Sequence, residues 1–393
     1  MQAALPPVRF TGAQILRDGE LQRRSLAVAD GRITKGPLPA VDMRGYLLLP
    51  GIIDLHGDAL ERHIAPRPNA CFDPSIGLGS VDRDAGVNGV TTAWLAVSWS
   101  WEGGFRGPDS AERILEALSA YRPHMGTDLH VQLRCETHMI DSAERMLAAI
   151  RRHGVDYVVF NNHLDEALEQ ARSRPEEFAH RARREGRTPE QHMVVVEEML
   201  SRRHQVPRHL CRLAEAFDML GLCYGSHGDP DGETRETFSM IGASIAEFPT
   251  TRPAAAAAKA TNDPVILGAP NVLHGGSQSG EMRATDLVSQ RLCDALASDY
   301  YYPALARAAW TLVDRGICDL PRAWAMISAG PAEILRLYDR GNLDFGRRAD
   351  MIAVNEETRA IEMTISGGVL TYLGHGAARR FAAGPRQLAM AAE

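Results

Sequence analysis

The chain has 393 residues, a formal net charge of −7 and an ordinary 45% hydrophobic content. That length suffices for a large core or two domains, and the acidic balance argues against nonspecific nucleic-acid binding. No apolar run reaches the about 18–20 residues a membrane-spanning helix needs. The opening MQAALPPVRF also lacks the basic stretch and apolar core of a signal peptide, so a cytoplasmic protein without membrane contact is expected.

Residues 8–36 read as short strands and turns, with the Asp18-Gly19 and Asp30-Gly31 pairs as hairpin signals. Eight apolar runs follow: LLLPGIIDL, VTTAWLAVS, HVQLRC, YVVFN, GLCYGS, ASIAEF, PVILGA and LCDALAS. Amphipathic helical stretches such as SAERILEALSAYR and DSAERMLAAIRRH separate them. Residues 164–220 are too long for one crossover and read as an extra helical excursion. FGRRADMIAVN and RAIEMTISGGVLTYL return to strand texture, and GAARRFAAGPRQLAMAAE reads as a loosely held tail.

Alternating strands and helices predict an α/β fold, a (β/α)8 TIM-like barrel over residues 49–344. The rival is an open doubly wound sheet, but no Gly-rich nucleotide fingerprint follows a first strand. The β-rich ends, 1–48 and 345–393, can pair into one small β-sandwich domain formed by both termini.

The six cysteines, Cys71, Cys135, Cys211, Cys223, Cys293 and Cys318, are scattered without a C-x-x-C pair and read as reduced thiols. Lysine occurs only twice, at Lys35 and Lys259.

Catalytic groups of a barrel sit at the C-terminal ends of its strands. Here those ends carry His56 and Asp58, Glu136, His163, His227, Glu247 and Asp299. A lone strand-end histidine is usually a satisfied core or surface residue, and a lone carboxylate there is usually a helix N-cap. The collective pattern points instead to a ligand set for one or two divalent ions, zinc, manganese or iron. The predicted metal ligands are His56, Asp58, Glu136, His163, His227 and Asp299. Neither lysine falls at a strand end, so a modified lysine cannot bridge two ions; Glu136 is the candidate bridge and Glu247 the next.

The run LPGIIDLH, the eight βα units, the Ser-His at the fifth strand end and the Ser-Asp at the eighth resemble the amidohydrolase superfamily. His56-Gly57-Asp58 replaces its usual His-x-His. With DLHGDALERHIAPRP, IAEFPTT, LGAPNVLHGGSQSG and SDYYP, the chain is similar to the PhnM family over nearly its whole length. The resemblance implies a small β domain beside a metal-bearing barrel. It also implies hydrolysis of α-D-ribose 1-methylphosphonate 5-triphosphate to the 5-phosphate and diphosphate, with Asp299 as the catalytic proton acceptor.

Substrate contacts are then expected from Arg62, His63 and Arg67, from Glu247, and from the glycine-rich loop at His274, Gly275, Gly276, Ser277 and Gln278, whose backbone amides can cradle an anion. His274 and Gln278 depart from the family's usual loop. The partner is thus a small phosphorylated molecule, with a homo-oligomer left open. The competing enzyme reading is a deaminase or cyclic-amide hydrolase with the same metal site and no phosphate contacts. A noncatalytic scaffold would be expected to have lost metal ligands, and this chain keeps the set.

Overall fold

The computed structural model describes residues 4–67, 72–276 and 283–383. Asp18-Gly19 and Asp30-Gly31 each adopt positive φ at both positions, 52° and 75°, then 51° and 71°. That conformation matches the twist of a two-residue hairpin, and it joins Gln14–Arg17 to Glu20–Arg23 and Leu26–Ala29 to Arg32–Thr34. The C-terminal strands Met351–Asn355, Ile361–Ser366 and Val369–Leu373 complete a six-stranded sheet with Tyr46–Pro50, Gln14–Arg17 and Glu20–Arg23. A four-stranded sheet containing Val8–Thr11 accompanies it. Phe10, Leu26, Met43, Leu48, Met351 and Met363 belong to one core drawn from both ends of the chain.

LLLPGIIDL is two strands rather than one. Tyr46–Pro50 pairs with Met351–Asn355 in the terminal sheet, and the barrel begins at Ile52. The break falls at Gly51, where a Cβ would lie 2.4 Å from Thr91 Oγ1.

The barrel strands are β1 (Ile52–Gly57), β2 (Val90–Trp99), β3 (Asp128–Glu136), β4 (Tyr157–Asn161), β5 (Cys223–His227), β6 (Ala246–Glu247), β7 (Val265–Gly268) and β8 (Ala295–Ala297). They pair in parallel and in sequence order. β1 and the end of β8 meet through a parallel bridge between Gly57 and Asp299, which excludes an open sheet. Alternation sets the layers: Trp94, Tyr157, Val159, Ile245, Ile266, Ala295 and Ala297 share one buried cluster inside the barrel. Leu95, Leu133, Val158, Phe160 and Leu267 join the cluster under the surrounding helices.

Those helices follow the expected periodicity. Pro108–Tyr121 buries Ala111, Ile114, Leu115 and Leu118, and Ala143–His153 buries Met146, Leu147 and Ile150 before ending on the left-handed Gly154. Between β4 and β5 the excursion forms helices Leu164–Ser173, Pro175–Arg184, Pro189–Ser201 and Val206–Leu220. Leu164, Ala167, Phe178 and Val196 pack with Trp101 as a small separate core.

The tail expectation needs correcting as far as the structure describes it. His375–Ala382 is a helix, with Ala377 buried and Phe381 set edge-on to Phe10 at 6.2 Å. The five cysteines among the described residues are free. No helix among them is long and apolar enough to cross a membrane.

Candidate active site

The polar strand ends converge at the C-terminal mouth of the barrel. Gly57 separates His56 from Asp58 because a Cβ there would fall 2.8 Å from Asp54 Oδ2 and 3.3 Å from Ser298 Oγ. Asp54 itself is buried and accepts hydrogen bonds from Ser298 N (2.8 Å) and Oγ (2.6 Å), tying β1 to the end of β8. Burial pushes the Asp54 carboxyl up to about 7, against the pull of those Ser298 bonds.

Asp299 follows, with a left-handed φ of 56°. Aspartate tolerates this region better than most side chains. Two backbone bonds hold it there: Asp299 N donates to His56 O (3.0 Å) and Asp58 N donates to Asp299 O (2.6 Å). Ligand atoms of His56, Asp58 and Asp299 all lie within 4.8 Å of one another. Burial raises the Asp299 carboxyl above the ordinary aspartate range; His56 opposes this and the neighbouring Asp58 reinforces it.

A second group meeting the same 4.8 Å limit is His56, His227 and Glu247. Glu247 is fully buried. It accepts from His56 Nδ1 (3.0 Å), His227 Nδ1 (2.7 Å), Gln132 Nε2 (2.5 Å) and Tyr157 OH (3.3 Å). An unpaired buried carboxylate costs several kcal/mol; these four donors offset that. Burial works to raise Glu247, but His56 and His227 hold it below the usual carboxylate range. An ionised carboxylate only accepts, so the Nδ1 positions carry the protons; His56 Nε2 keeps its lone pair for a cation, while His227 Nε2 accepts from Arg134 Nη2 (3.3 Å). Glu247 therefore orients two imidazoles from the barrel interior, a setting different from the substrate contact expected of it.

Burial disfavours a charged His56, yet Glu247 and Asp58 outweigh it and raise the imidazole above its ordinary value. His227 is lowered, by burial first and then by Arg134. The surroundings of His56 thus favour positive charge, and imidazole plus carboxylate donors suit a borderline divalent cation.

Glu136 and His163 stand apart from these two groups. Glu136 Oε1 pairs with His163 Nδ1, while Oε2 accepts from Trp101 Nε1 (3.3 Å) and His163 N (3.2 Å). His163 is also the N-cap residue of helix Leu164–Ser173.

His63 Nε2 and Arg62 Nη2 each sit 3.8 Å from Asp84 on helix Pro74–Val87, and Arg67 is exposed in a turn. Sequence spacing put them close to the metal motif, but the short helix Ala59–Ile64 turns Arg62 and His63 toward Asp84. His274 is exposed at the end of helix Ala269–His274, with Gly275 in the left-handed region and Gly276 following. Ser277 and Gln278 lie outside the described residues.

The residue that sequence reasoning missed is Arg134. Gln132, Arg134 and Glu136 alternate along β3 with Leu133 and Cys135, and all three are buried. A polar residue at every second position of a buried strand was the available signal.

No family model matches the chain. It is 30% identical over 373 residues to the alpha-D-ribose 1-methylphosphonate 5-triphosphate diphosphatase of Escherichia coli K12, covering 90% of this chain and 97% of that protein. Solved structures with the same fold include β-aspartyl dipeptidase from Fervidobacterium islandicum AW-1 (TM-score 0.63, 14% identity, 95% of this chain and 98% of that one). N-acetylglucosamine-6-phosphate deacetylase from Pasteurella multocida (0.63, 10%, 93% and 99%) and Aspergillus niger ochratoxinase (0.64, 12%, 95% and 99%) share it too. The barrel, the terminal β domain and the full-length similarity together mean that this chain belongs to the PhnM family of hydrolases, within the amidohydrolase superfamily.

Proposed function

We propose that the protein is a metal-dependent phosphoanhydride hydrolase that cleaves α-D-ribose 1-methylphosphonate 5-triphosphate to the 5-phosphate and diphosphate. The observation that carries this is the His56–Asp58–Asp299 cluster at the barrel mouth, in a chain 30% identical to a diphosphatase acting on that compound. His56 Nε2, Asp58 and Asp299 would hold one divalent ion, with His227 in the adjoining group around His56 and Glu247; zinc is favoured, and manganese or iron would suit the same donors. A bound ion supplies an acidified water and polarises a phosphoryl oxygen.

The protein's own groups do the rest. Glu247 keeps both imidazoles in one tautomer and fixes their direction. Asp299, with its carboxyl raised by burial, receives a proton from the attacking water. The water oxygen joins the phosphorus nearest the ribose, the bond from that phosphorus to the bridging oxygen breaks, and diphosphate leaves with the electron pair. Asp299 then passes the proton on. Glu136 with His163 would be the seat of a second ion. If so, Glu136→Gln lowers metal content by one ion per chain; unchanged content removes that seat.

Incubating metal-loaded protein with the ribose triphosphate tests the reading by phosphorus NMR. Diphosphate release that stops on chelation is expected. No phosphorus product, with ammonia appearing from a panel of heterocycles, would transfer the assignment to a deaminase or cyclic-amide hydrolase.

A further inference from the structure

We infer that Arg134 is a catalytic residue of this site, binding a nonbridging oxygen of the phosphoryl group under attack. The inference rests on the phosphoanhydride reading and deepens it. Arg134 stands inside the barrel on β3, 8% exposed. Its Nη2 lies 3.3 Å from His227 Nε2, and its Nη1 lies 3.8 Å from Asp58 Oδ1. Its Nε is buried without a hydrogen-bond partner. A guanidinium carries five N–H donors and cannot shed its charge in a protein. Here one donor meets an imidazole nitrogen and another stands 3.8 Å from a carboxylate oxygen.

Another buried arginine in the same barrel shows what a structural guanidinium looks like. Arg235 is fully buried, and its donors reach Ser226 Oγ (2.6 Å), Ile245 O (3.1 Å) and the Ala243 carbonyl, with Asp229 at 3.3 Å and Asp263 at 3.5 Å. Its Nε is unpartnered like that of Arg134, but two carboxylates and three oxygen acceptors stabilise the charge. Arg134 has a single carboxylate, Asp58, at 3.8 Å and beyond hydrogen-bond reach, although leaving a buried ion poorly paired is costly. A cation kept in that state at the mouth of a barrel calls for an anion that arrives from outside.

Position selects the anion. Asp58, the nearest carboxylate, belongs with His56 and Asp299 to the cluster proposed to hold the ion. An oxygen shared between that cluster and Arg134 would therefore belong to the group being attacked. The planar fork of a guanidinium matches two oxygens of a tetrahedral phosphoryl group. It would meet the charge that spreads over the equatorial oxygens as the phosphoanhydride opens. A carbonyl substrate offers one oxygen and no standing charge, so the same residue favours phosphoryl over acyl substrates.

The test compares full-length, metal-loaded wild type with Arg134→Met and Arg134→Lys. Inorganic phosphate is titrated and followed by phosphorus NMR line width, and melting temperature, metal content and turnover of the ribose triphosphate are recorded beside it. We expect Arg134→Met to bind phosphate at least about tenfold more weakly and to lose about 10²–10³ in kcat, the range for removing one preorganised oxyanion donor. Its metal content should hold and its melting temperature should stay level or rise, because a poorly paired buried charge is gone. Arg134→Lys should regain part of the phosphate affinity. Unchanged phosphate affinity and kcat in Arg134→Met would overturn the inference. So would a lowered melting temperature with loss of metal, which marks a structural role. If wild type releases no diphosphate, the functional reading fails on that result alone, and the phosphate titration still decides the role of Arg134.

Discussion

His56 and His227 lie with ring centroids 5.3 Å apart and both direct Nδ1 at the same oxygen of Glu247. Strands β1 and β5 are not neighbours, so one carboxylate on β6 sets the orientation of imidazoles from separate parts of the barrel. Replacing Glu247 by Gln removes the acceptor that fixes both tautomers. Metal affinity should fall about 10–100-fold, the usual cost of losing such an orienting partner, with far-ultraviolet circular dichroism retained. A competition titration against a chelator measures this; wild-type affinity in Glu247→Gln would show that the histidines need no orienting charge.

Asp299 joins backbone strain, burial and a raised carboxyl at one position. Asp299→Asn keeps the shape and loses the proton acceptor. Turnover should fall about 10²–10⁴-fold, the span of general base catalysis, while KM moves little. Steady-state kinetics checks the split. A variant that loses affinity and keeps kcat would place the base elsewhere.

Much of the site was legible because strand ends are a local feature. An apolar run stopping on His56-Gly57-Asp58 or on Asp299 marks the rim of a barrel, and closure then brings β1 against β8. What the sequence concealed depends on partners across the barrel. Glu247 reads as one more strand-end carboxylate, and only the folded chain shows its four donors. Arg134 looks like one arginine among many until its donors are followed. Arg62 and His63 are near the metal motif in sequence, yet helix geometry directs them to Asp84. The reading of a loose tail failed at His375–Ala382 because the apolar positions that dock it, Ala377 and Phe381, are spaced for a helix and meet a surface built by the other terminus.

At the N-terminal end of the barrel His130 contributes stability. Its ring stacks on Trp94 at 4.5 Å, with Nε2 3.2 Å from Asp128 and Nδ1 3.2 Å from Asp156. Arg340 and Arg348 bind the same Asp128 (2.6 and 3.3 Å), linking β3 to the chain that leads back into the terminal sheet. Burial opposes charge on His130, but the Asp128 and Asp156 hydrogen bonds prevail and raise it to about 9. The folded value lies above the unfolded one of about 6.5. This contribution is therefore complete below about pH 6.5 and is lost as pH rises through 9. His130→Gln should lower stability at pH 6 by the worth of a charged hydrogen bond, about 1.5–3 kcal/mol, read as a lower melting temperature, and flatten the decline between pH 6.5 and 9. Melts across that range test it; parallel wild-type and variant curves would remove His130 as the source.

In the proposed reaction water attacks the ribose-linked phosphorus at the His56–Asp58–Asp299 cluster. The direct measurement is turnover of α-D-ribose 1-methylphosphonate 5-triphosphate in oxygen-18 water, with the isotope shift read by phosphorus NMR. Attack at that phosphorus puts label in the sugar 5-phosphate and leaves diphosphate unlabelled. Label in the diphosphate means attack at the middle phosphorus and contradicts the proposed reaction.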